Sequence, residues 1–176
     1  MTMSALIARR GAVRTDAHVA REESEAVKAG LTVELRLPFA LLVEGRKKDL
    51  EDLVKAGYRV RLLRARHRIA VNGHEIDIRH GPGAAPADPD VPGELTASWP
   101  HHLVQLAAPP IPEWVREIEN RGVQVVQSIS AYALFVVGTP ERVASLDALP
   151  FVTWTGPFRP GYRIAPDLLT RRGEIR

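Results

Sequence analysis

Histidines are the residues of this sequence best suited to proton transfer or metal binding, because the chain contains no cysteine. No two of them have the His-Glu-x-x-His spacing that places two imidazoles on one helix face for zinc. The neighbouring His101 and His102 would point to opposite faces of a strand, which is poor geometry for holding one ion. The sequence therefore predicts no metal site among its histidines, which are His18, His67, His74, His80, His101 and His102.

Patterns for nucleophilic or cofactor chemistry are also missing from the sequence. It has no Gly-x-Ser-x-Gly turn around a nucleophilic serine, no glycine-rich phosphate loop and no dinucleotide-binding fingerprint. Carboxylates such as Asp49, Glu51 and Asp52 fall in a predicted helix, where they face water. We predict that the protein is not an enzyme and uses no cofactor.

The composition is that of a protein with one domain of ordinary size or two small ones. Hydrophobic residues make up 45% of the 176 positions, which suffices for packed cores. No apolar run approaches the roughly 20 residues that a membrane helix needs, so we expect no transmembrane segment. The apolar patch at residues 4–8 is too short for a signal-peptide core, and the localisation stays open.

Basic residues give the chain a formal net charge of +3 and cluster in one region. We interpret this cluster as a solvated strand face, and a phosphate-binding patch is the alternative. Five arginines lie on and after one predicted strand: Arg59, Arg61, Arg64, Arg66 and Arg68. Three more basic residues are nearby: Arg46, Lys47 and Lys48.

An internal repeat organises the chain. Residues 39–45 align without a gap with residues 132–138, since both are short apolar runs that end in glycine. At the same offset Leu50 meets Val143, and Leu53 meets Leu146. We infer two copies of one module.

Each copy contains the same order of predicted elements: strand, helix, strand, strand, helix, strand. In the second copy Thr139 and Pro140 supply an N-cap and a first helical residue, and Pro150 ends that helix. This order predicts an α+β fold with two tandem ferredoxin-like modules, each an antiparallel four-stranded sheet with its helices on one face.

A hairpin and a linker are predicted between the copies. Asn72 and Gly73 favour a type I′ turn between two short apolar strands, and residues 81–92 are rich in proline, glycine and alanine. The expected organisation is copy one at residues 1–64, hairpin and linker at 65–100, copy two at 101–157, and an extended tail at 158–176.

The run at residues 131–137 has no polar alternation, although a sheet with helices on one side should alternate. Tyr132, Leu134 and Val136 fall on one face, and apolar residues also occupy the other. We therefore expect something to cover the second face of this sheet. The alternatives are a protease, another subunit, or copy one.

Copy two resembles the propeptide and inhibitor domain of subtilisin-like serine proteases. The resemblance is carried by His102-Leu-Val-Gln, by a strand that ends in Gly138 before Thr139-Pro-Glu, and by Leu149-Pro-Phe-Val-Thr-Trp-Thr-Gly-Pro. In that family the open face of the sheet docks on the protease, and the following segment lies in the active-site cleft like a bound product. The resemblance extends only weakly to copy one.

The resemblance implies a function as inhibitor and folding chaperone of a subtilisin-like serine protease. The partner-binding residues that it implies are Tyr132, Leu134 and Val136 on the sheet, followed by Phe158, Tyr162, Ile164 and Leu168 in the tail. The alternative for the tail side chains is that they pack back onto copy one. No catalytic domain follows Leu168, so we expect either a piece of a longer precursor or a free-standing inhibitor.

The alternative function is a free-standing ferredoxin-like interaction module, regulatory or nucleic-acid-binding, with no protease partner. RNA binding on such a sheet favours exposed aromatic residues beside basic ones on the central strands. Tyr132 and Phe135 are predicted on opposite faces, which argues against nucleic acid as the partner.

Overall fold

The computed structural model describes residues 2–11, 14–80 and 100–163. The chain divides into two compact units, Met1–Ala65 and Arg66–Arg176. Each unit has its own four-stranded sheet.

The first unit has the predicted order of strands and helices. Its strands form one antiparallel sheet in the order β2-β3-β1-β4, so the first and third strands are central. This is the ferredoxin-like topology. The elements are β1 (Thr2–Arg9), α1 (Asp16–Lys28), β2 (Thr32–Arg36), β3 (Leu41–Arg46), α2 (Lys47–Lys55) and β4 (Tyr58–Leu62).

One face of this sheet packs against the helices. Helix α1 begins after Thr15, whose hydroxyl accepts a hydrogen bond from the backbone N–H of His18 at 3.4 Å. Leu41 and Val43 of β3 belong to the same buried cluster as Leu50 and Leu53 of α2. This side of β3 is therefore the helix-facing side.

The second unit repeats this topology and adds a hairpin before it. Its main sheet has the order β10-β7-β9-β8, and β5 pairs with β6 in a separate two-stranded sheet. The elements are β5 (Arg68–Val71), β6 (His74–Asp77), β7 (His101–Leu106), α3 (Pro112–Asn120), β8 (Gln124–Ser130), β9 (Ala133–Val137), α4 (Pro140–Ala144) and β10 (Val152–Pro157). Short 3-10 helices follow α4 at Ser145–Ala148 and end the described chain at Pro160–Arg163.

The fold class predicted from the repeat is confirmed. Lys47 and Pro140, which begin α2 and α4, coincide in the alignment of the two copies. The second helix of copy two is shorter and continues as a 3-10 helix. There Ser145 Oγ donates to the carbonyl of Arg142 at 2.6 Å, and this local bond competes with the α-helical pattern.

The predicted hairpin is present and belongs to the second unit. Asn72 and Gly73 have φ angles of 46° and 81°, as the two central residues of a type I′ turn require. The contact boundary between the units falls after Ala65, ahead of both hairpin strands. The hairpin is thus part of the second unit and not a separate segment between the copies.

Candidate functional site

The hairpin covers the face of the main sheet in the second unit that points away from the helices. Ile69, Val71 and Ile76 of the hairpin form one buried cluster with Leu103 of β7 and Ala133 of β9. The cover that we expected on this face is present. It is supplied by the chain's own hairpin, and none of the three alternatives considered from the sequence is needed to explain it.

A buried amide ties the start of the second unit to this face. Gln105 of β7 is 0% exposed and pairs with Ala133 in the strand register. Its Nε2 donates to the carbonyl of Arg66 at 2.5 Å. Because a buried polar group is costly without a partner, this bond favours one placement of the chain that enters β5.

The segment after β10 packs into the same cluster through aromatic contacts. The backbone N–H of Phe158 donates to the carbonyl of His101 at 2.9 Å, which extends the pairing of β10 with β7. The Phe158 ring meets Phe135 edge to face at a centroid distance of 4.8 Å, and Tyr162 lies 5.8 Å beyond it. Phe158 and Tyr162 are both buried.

The hairpin turn also holds the end of the described chain directly. Asn72 Nδ2 donates to the carbonyl of Tyr162 at 2.8 Å, and the His74 ring meets Tyr162 edge to face at 5.6 Å. Burial raises the pKa of the Tyr162 phenol, so it is uncharged at neutral pH. We call this arrangement of Asn72, His74, Phe158 and Tyr162 the tail clamp.

A cavity of about 320 Å³ opens beside the tail clamp, between the hairpin and β8. Val71 and Asn72 line one wall, Gln127 and Ser128 line the other, and Phe135 and Phe158 also contribute. The lining combines aromatic carbon with amide and hydroxyl groups, so the cavity suits an apolar side chain whose backbone reaches polar groups at the rim.

The sheet residues predicted to bind a partner do not form an exposed surface. Leu134 and Val136 are 1% and 0% exposed, and the repeat aligns them with the helix-facing Leu41 and Val43. Tyr132 lies in the turn before β9 and is half-buried, and its carbonyl accepts from the N–H of Leu106 at 2.7 Å. These residues are therefore structural parts of the second unit.

The tail residues predicted to enter substrate pockets divide into two groups. Phe158 and Tyr162 lie in the tail clamp, so their rings are already occupied by their own unit. Ile164 and Leu168 lie outside the described residues.

The covering role of the hairpin was missed from the sequence, although a signal for it is present. Ile69 and Val71 alternate with exposed residues on β5, and Ile76 is their counterpart on β6. Such alternation gives a hairpin one apolar face, which must be buried against something. The neighbouring apolar face of β9 was the available surface.

A second polar site lies at one end of the first unit, around a cavity of about 230 Å³. Buried Glu22 accepts from the backbone N–H of Arg9 at 2.9 Å, and its other oxygen lies 3.3 Å from Arg14 Nη2. Glu25 accepts from Tyr58 Oη at 2.5 Å. Glu22 and Glu25 contact Arg9, Arg14 and Arg21, so we interpret the geometry as a structural network.

This network changes the acidity of two of its members. The hydrogen bond from Tyr58 is the largest cause that lowers the pKa of Glu25, and a bond from Arg21 adds to it. Burial, followed by the bond to Glu25, raises the pKa of Tyr58. At neutral pH the pair is a neutral phenol donating to an ionised carboxylate.

Within the described ranges, no group of three or more His, Cys, Asp or Glu side chains is placed to hold a metal ion. Among the helices that the structure describes, none is long and apolar enough to cross a membrane.

One family model matches the chain over residues 70–159 and is described as a domain of unknown function, DUF8729. The matched region begins in β5 and ends two residues after β10, so it includes the whole main sheet of the second unit. A comparison with curated proteins gives no match. Because the family model covers more than half of the sequence, the chain belongs to the DUF8729 family.

Proposed function

We propose that the chain is a propeptide-like module that binds a subtilisin-like serine protease, inhibits it and assists its folding. The proposal rests on the motif order of copy two, from His102 to Pro157, within a ferredoxin-like unit. The chain would have no catalytic role of its own. Its partner would be the protease. The proposal includes no binding to nucleic acid or to a membrane.

The tail clamp is the observation that best supports this proposal. Tyr162 is held by Asn72 and His74, so the segment that follows Arg163 starts from a fixed point. An extended inhibitory segment binds more tightly when less conformational entropy is lost on binding, and an anchored origin reduces that loss. In this proposal Ile164 and Leu168 enter the substrate pockets, and Phe158 and Tyr162 anchor the segment.

The experiment compares three forms of the protein in a titration against a subtilisin-like protease. These are the full chain, a form ending at Arg163, and a control form lacking only residues 170–176. We expect the full chain and the control to inhibit alike, and the form ending at Arg163 to inhibit at least about tenfold more weakly, because it lacks the cleft-binding segment.

Residual protease activity and mass spectrometry of the inhibitor over time provide the two measurements. Equal inhibition by all three forms would show that the tail contributes nothing. Rapid digestion of the full chain without inhibition would remove the protease from the proposal altogether.

The second candidate is a free-standing ferredoxin-like interaction module without a protease partner. It is favoured by the hairpin, because the sheet face that propeptides dock on a protease is filled here by Ile69, Val71 and Ile76. Under this candidate the full chain leaves protease activity unchanged at every ratio in the same titration.

A further inference from the structure

The outer edge of β4 in the first unit carries two exposed arginines, Arg59 and Arg61. We propose that this edge binds an extended acidic peptide segment as an added fifth strand, with its alternate carboxylates paired to these arginines. The proposal uses none of the residues of the tail clamp or of the proposed protease-binding tail.

The two arginines have no acidic partner in the described ion pairs. In those ion pairs the acids of the first unit contact other cations: Glu22 contacts Arg14, Glu25 contacts Arg9 and Arg21, Glu23 contacts Arg36, Asp49 contacts Arg46, Glu51 contacts Lys47, and Asp52 contacts Lys55. Arg10, which is also exposed, follows β1 beside the start of β4, where its N–H donates to the carbonyl of Gly57 at 3.4 Å. This edge of the unit therefore carries positive charge that no carboxylate in the described ion pairs contacts.

Strand geometry places the two charges on one face. Tyr58 and Val60 pack into the helix-side core, so Arg59 and Arg61 lie on the opposite face of β4. Residues two apart in a strand are separated by about 6.6–6.8 Å. An extended peptide has the same repeat, so acidic residues at every second position match both guanidinium groups, which favour two-bond contacts with carboxylates.

Among the described strands, the backbone of β4 is paired on one side only. β4 is the last strand of its sheet and pairs only with β1 among the described strands. An edge strand presents N–H and C=O groups that an incoming strand can pair with. Backbone pairing gives affinity in this mode of recognition, and the side chains on one face give specificity.

An acidic peptide fits this edge better than single-stranded nucleic acid does. Nucleic acid without base pairing binds where exposed aromatic rings accompany the cations. The aromatic residue of β4 is Tyr58, which is 2% exposed and hydrogen-bonded to Glu25. The edge therefore offers charge and backbone groups and no ring for stacking.

The test uses fluorescence anisotropy with the full chain and labelled nine-residue peptides. In the first peptide glutamate occupies every second position, and threonine or valine occupies the positions between the glutamates. A second has the same composition with its glutamates consecutive, and a third is the alternating peptide with N-methyl groups at every second amide on its pairing edge. An oligouridine of similar charge is the fourth probe.

The variants are Arg59→Glu with Arg61→Glu, and the control Lys28→Glu with Lys48→Glu, which makes the same charge change at exposed positions elsewhere on this unit. We expect the chain to bind the alternating peptide, the edge variant to bind at least about tenfold more weakly, and the control to stay within about twofold. Binding should weaken at high salt. Circular dichroism verifies that both variants fold, and Arg59→Gln with Arg61→Gln replaces the edge variant if it does not.

Several results would overturn the proposal. If the consecutive peptide or the N-methylated peptide binds as tightly as the alternating peptide, general charge attraction explains the binding and no added strand is needed. Tighter binding of oligouridine that the edge variant abolishes would assign the edge to nucleic acid. Absence of binding by any peptide would assign the arginines to protection of an exposed strand edge.

Discussion

Asn72 combines two roles in a single side chain. Its backbone adopts the positive φ angle that the type I′ turn needs, and its side-chain amide donates to the carbonyl of Tyr162. Glycine could satisfy the turn but has no donor for the tail. The residue therefore connects the geometry of a local turn to the position of a segment that is far away in sequence.

Replacing Asn72 with glycine separates these roles. We expect Asn72→Gly to keep the hairpin and to loosen the tail clamp by about 1 kcal/mol, since one hydrogen bond is lost. Trypsin should then cut after Arg163 several times faster, by about the factor that this energy implies. The control Gln127→Ala alters the opposite wall of the cavity and should cut at the wild-type rate. Unchanged cleavage in Asn72→Gly would mean that the aromatic contacts alone fix the tail.

The hydrogen bond between Tyr58 and Glu25 makes the stability of the first unit depend on pH. The pKa of Glu25 is lowered from 4.5 in the folded chain, so its ionised form stabilises the fold. This contribution is complete above that value and is lost as the pH falls and the carboxylate takes up a proton. It arises mainly from the Tyr58 hydroxyl.

Removing the hydroxyl should therefore reduce stability more at neutral than at acidic pH. We expect Tyr58→Phe to lower the free energy of unfolding by about 1–2 kcal/mol at pH 7, and by less at pH 3, because below 4.5 the unfolded chain gains stability by protonating this carboxyl, which offsets the gain from the charged acceptor. Urea unfolding followed by circular dichroism at both values measures this. An equal loss at both values would mean that the bond contributes through packing and not through charge.

The hairpin β5–β6 is an element that serves as the outer layer of a sheet. Its apolar face consists of Ile69, Val71 and Ile76, and both strands are only four residues long. A two-stranded hairpin of this size is marginal in water by itself. Its stability must therefore come from the sheet beneath it.

Truncating the centre of this apolar face should destabilise the second unit. We expect Ile69→Ala to cost about 2–4 kcal/mol, because Ile69 is fully buried and its loss leaves a cavity. The tryptophans of the chain all belong to the second unit, so their fluorescence during urea unfolding reports on that unit. Ala70→Ser, at the neighbouring exposed position, should leave the midpoint almost unchanged. A shift of similar size in both variants would show that the strand and not its buried face matters.

Turns and helix starts could be predicted from the sequence. Which of the two apolar faces of β9 packs against the helices could not. The turn at Asn72 and the helix start at Thr139 have local signatures, and both are where we expected them. On β9, however, apolar residues occupy both faces, so alternation cannot tell which face meets the helices. The resemblance therefore predicts a docking surface at Leu134 and Val136, and the structure shows that both are buried.

At the scale of the whole molecule, the internal repeat was the most informative feature of the sequence. Two copies with one order of elements implied one topology twice, and both sheets have it. The copies then differ in charge and in the hairpin that is added to the second. The first unit carries the exposed arginines of β4, whereas the second carries the hairpin. Such differences depend on long-range packing, which the pattern within each copy does not encode.

The tail clamp joins residues that the ribosome makes at very different times. Asn72 and Tyr162 are separated by 90 positions, and the hairpin reaches its final contacts only with β7, β9 and the segment after β10. Contacts of such sequence separation slow folding, because a long loop must close before they form. During synthesis the apolar face of the hairpin therefore lacks its partners in the sheet until almost all of the second unit has been translated. Phe158 and Tyr162, which are translated late in this unit, thus complete the packing of the hairpin, which is translated first in it.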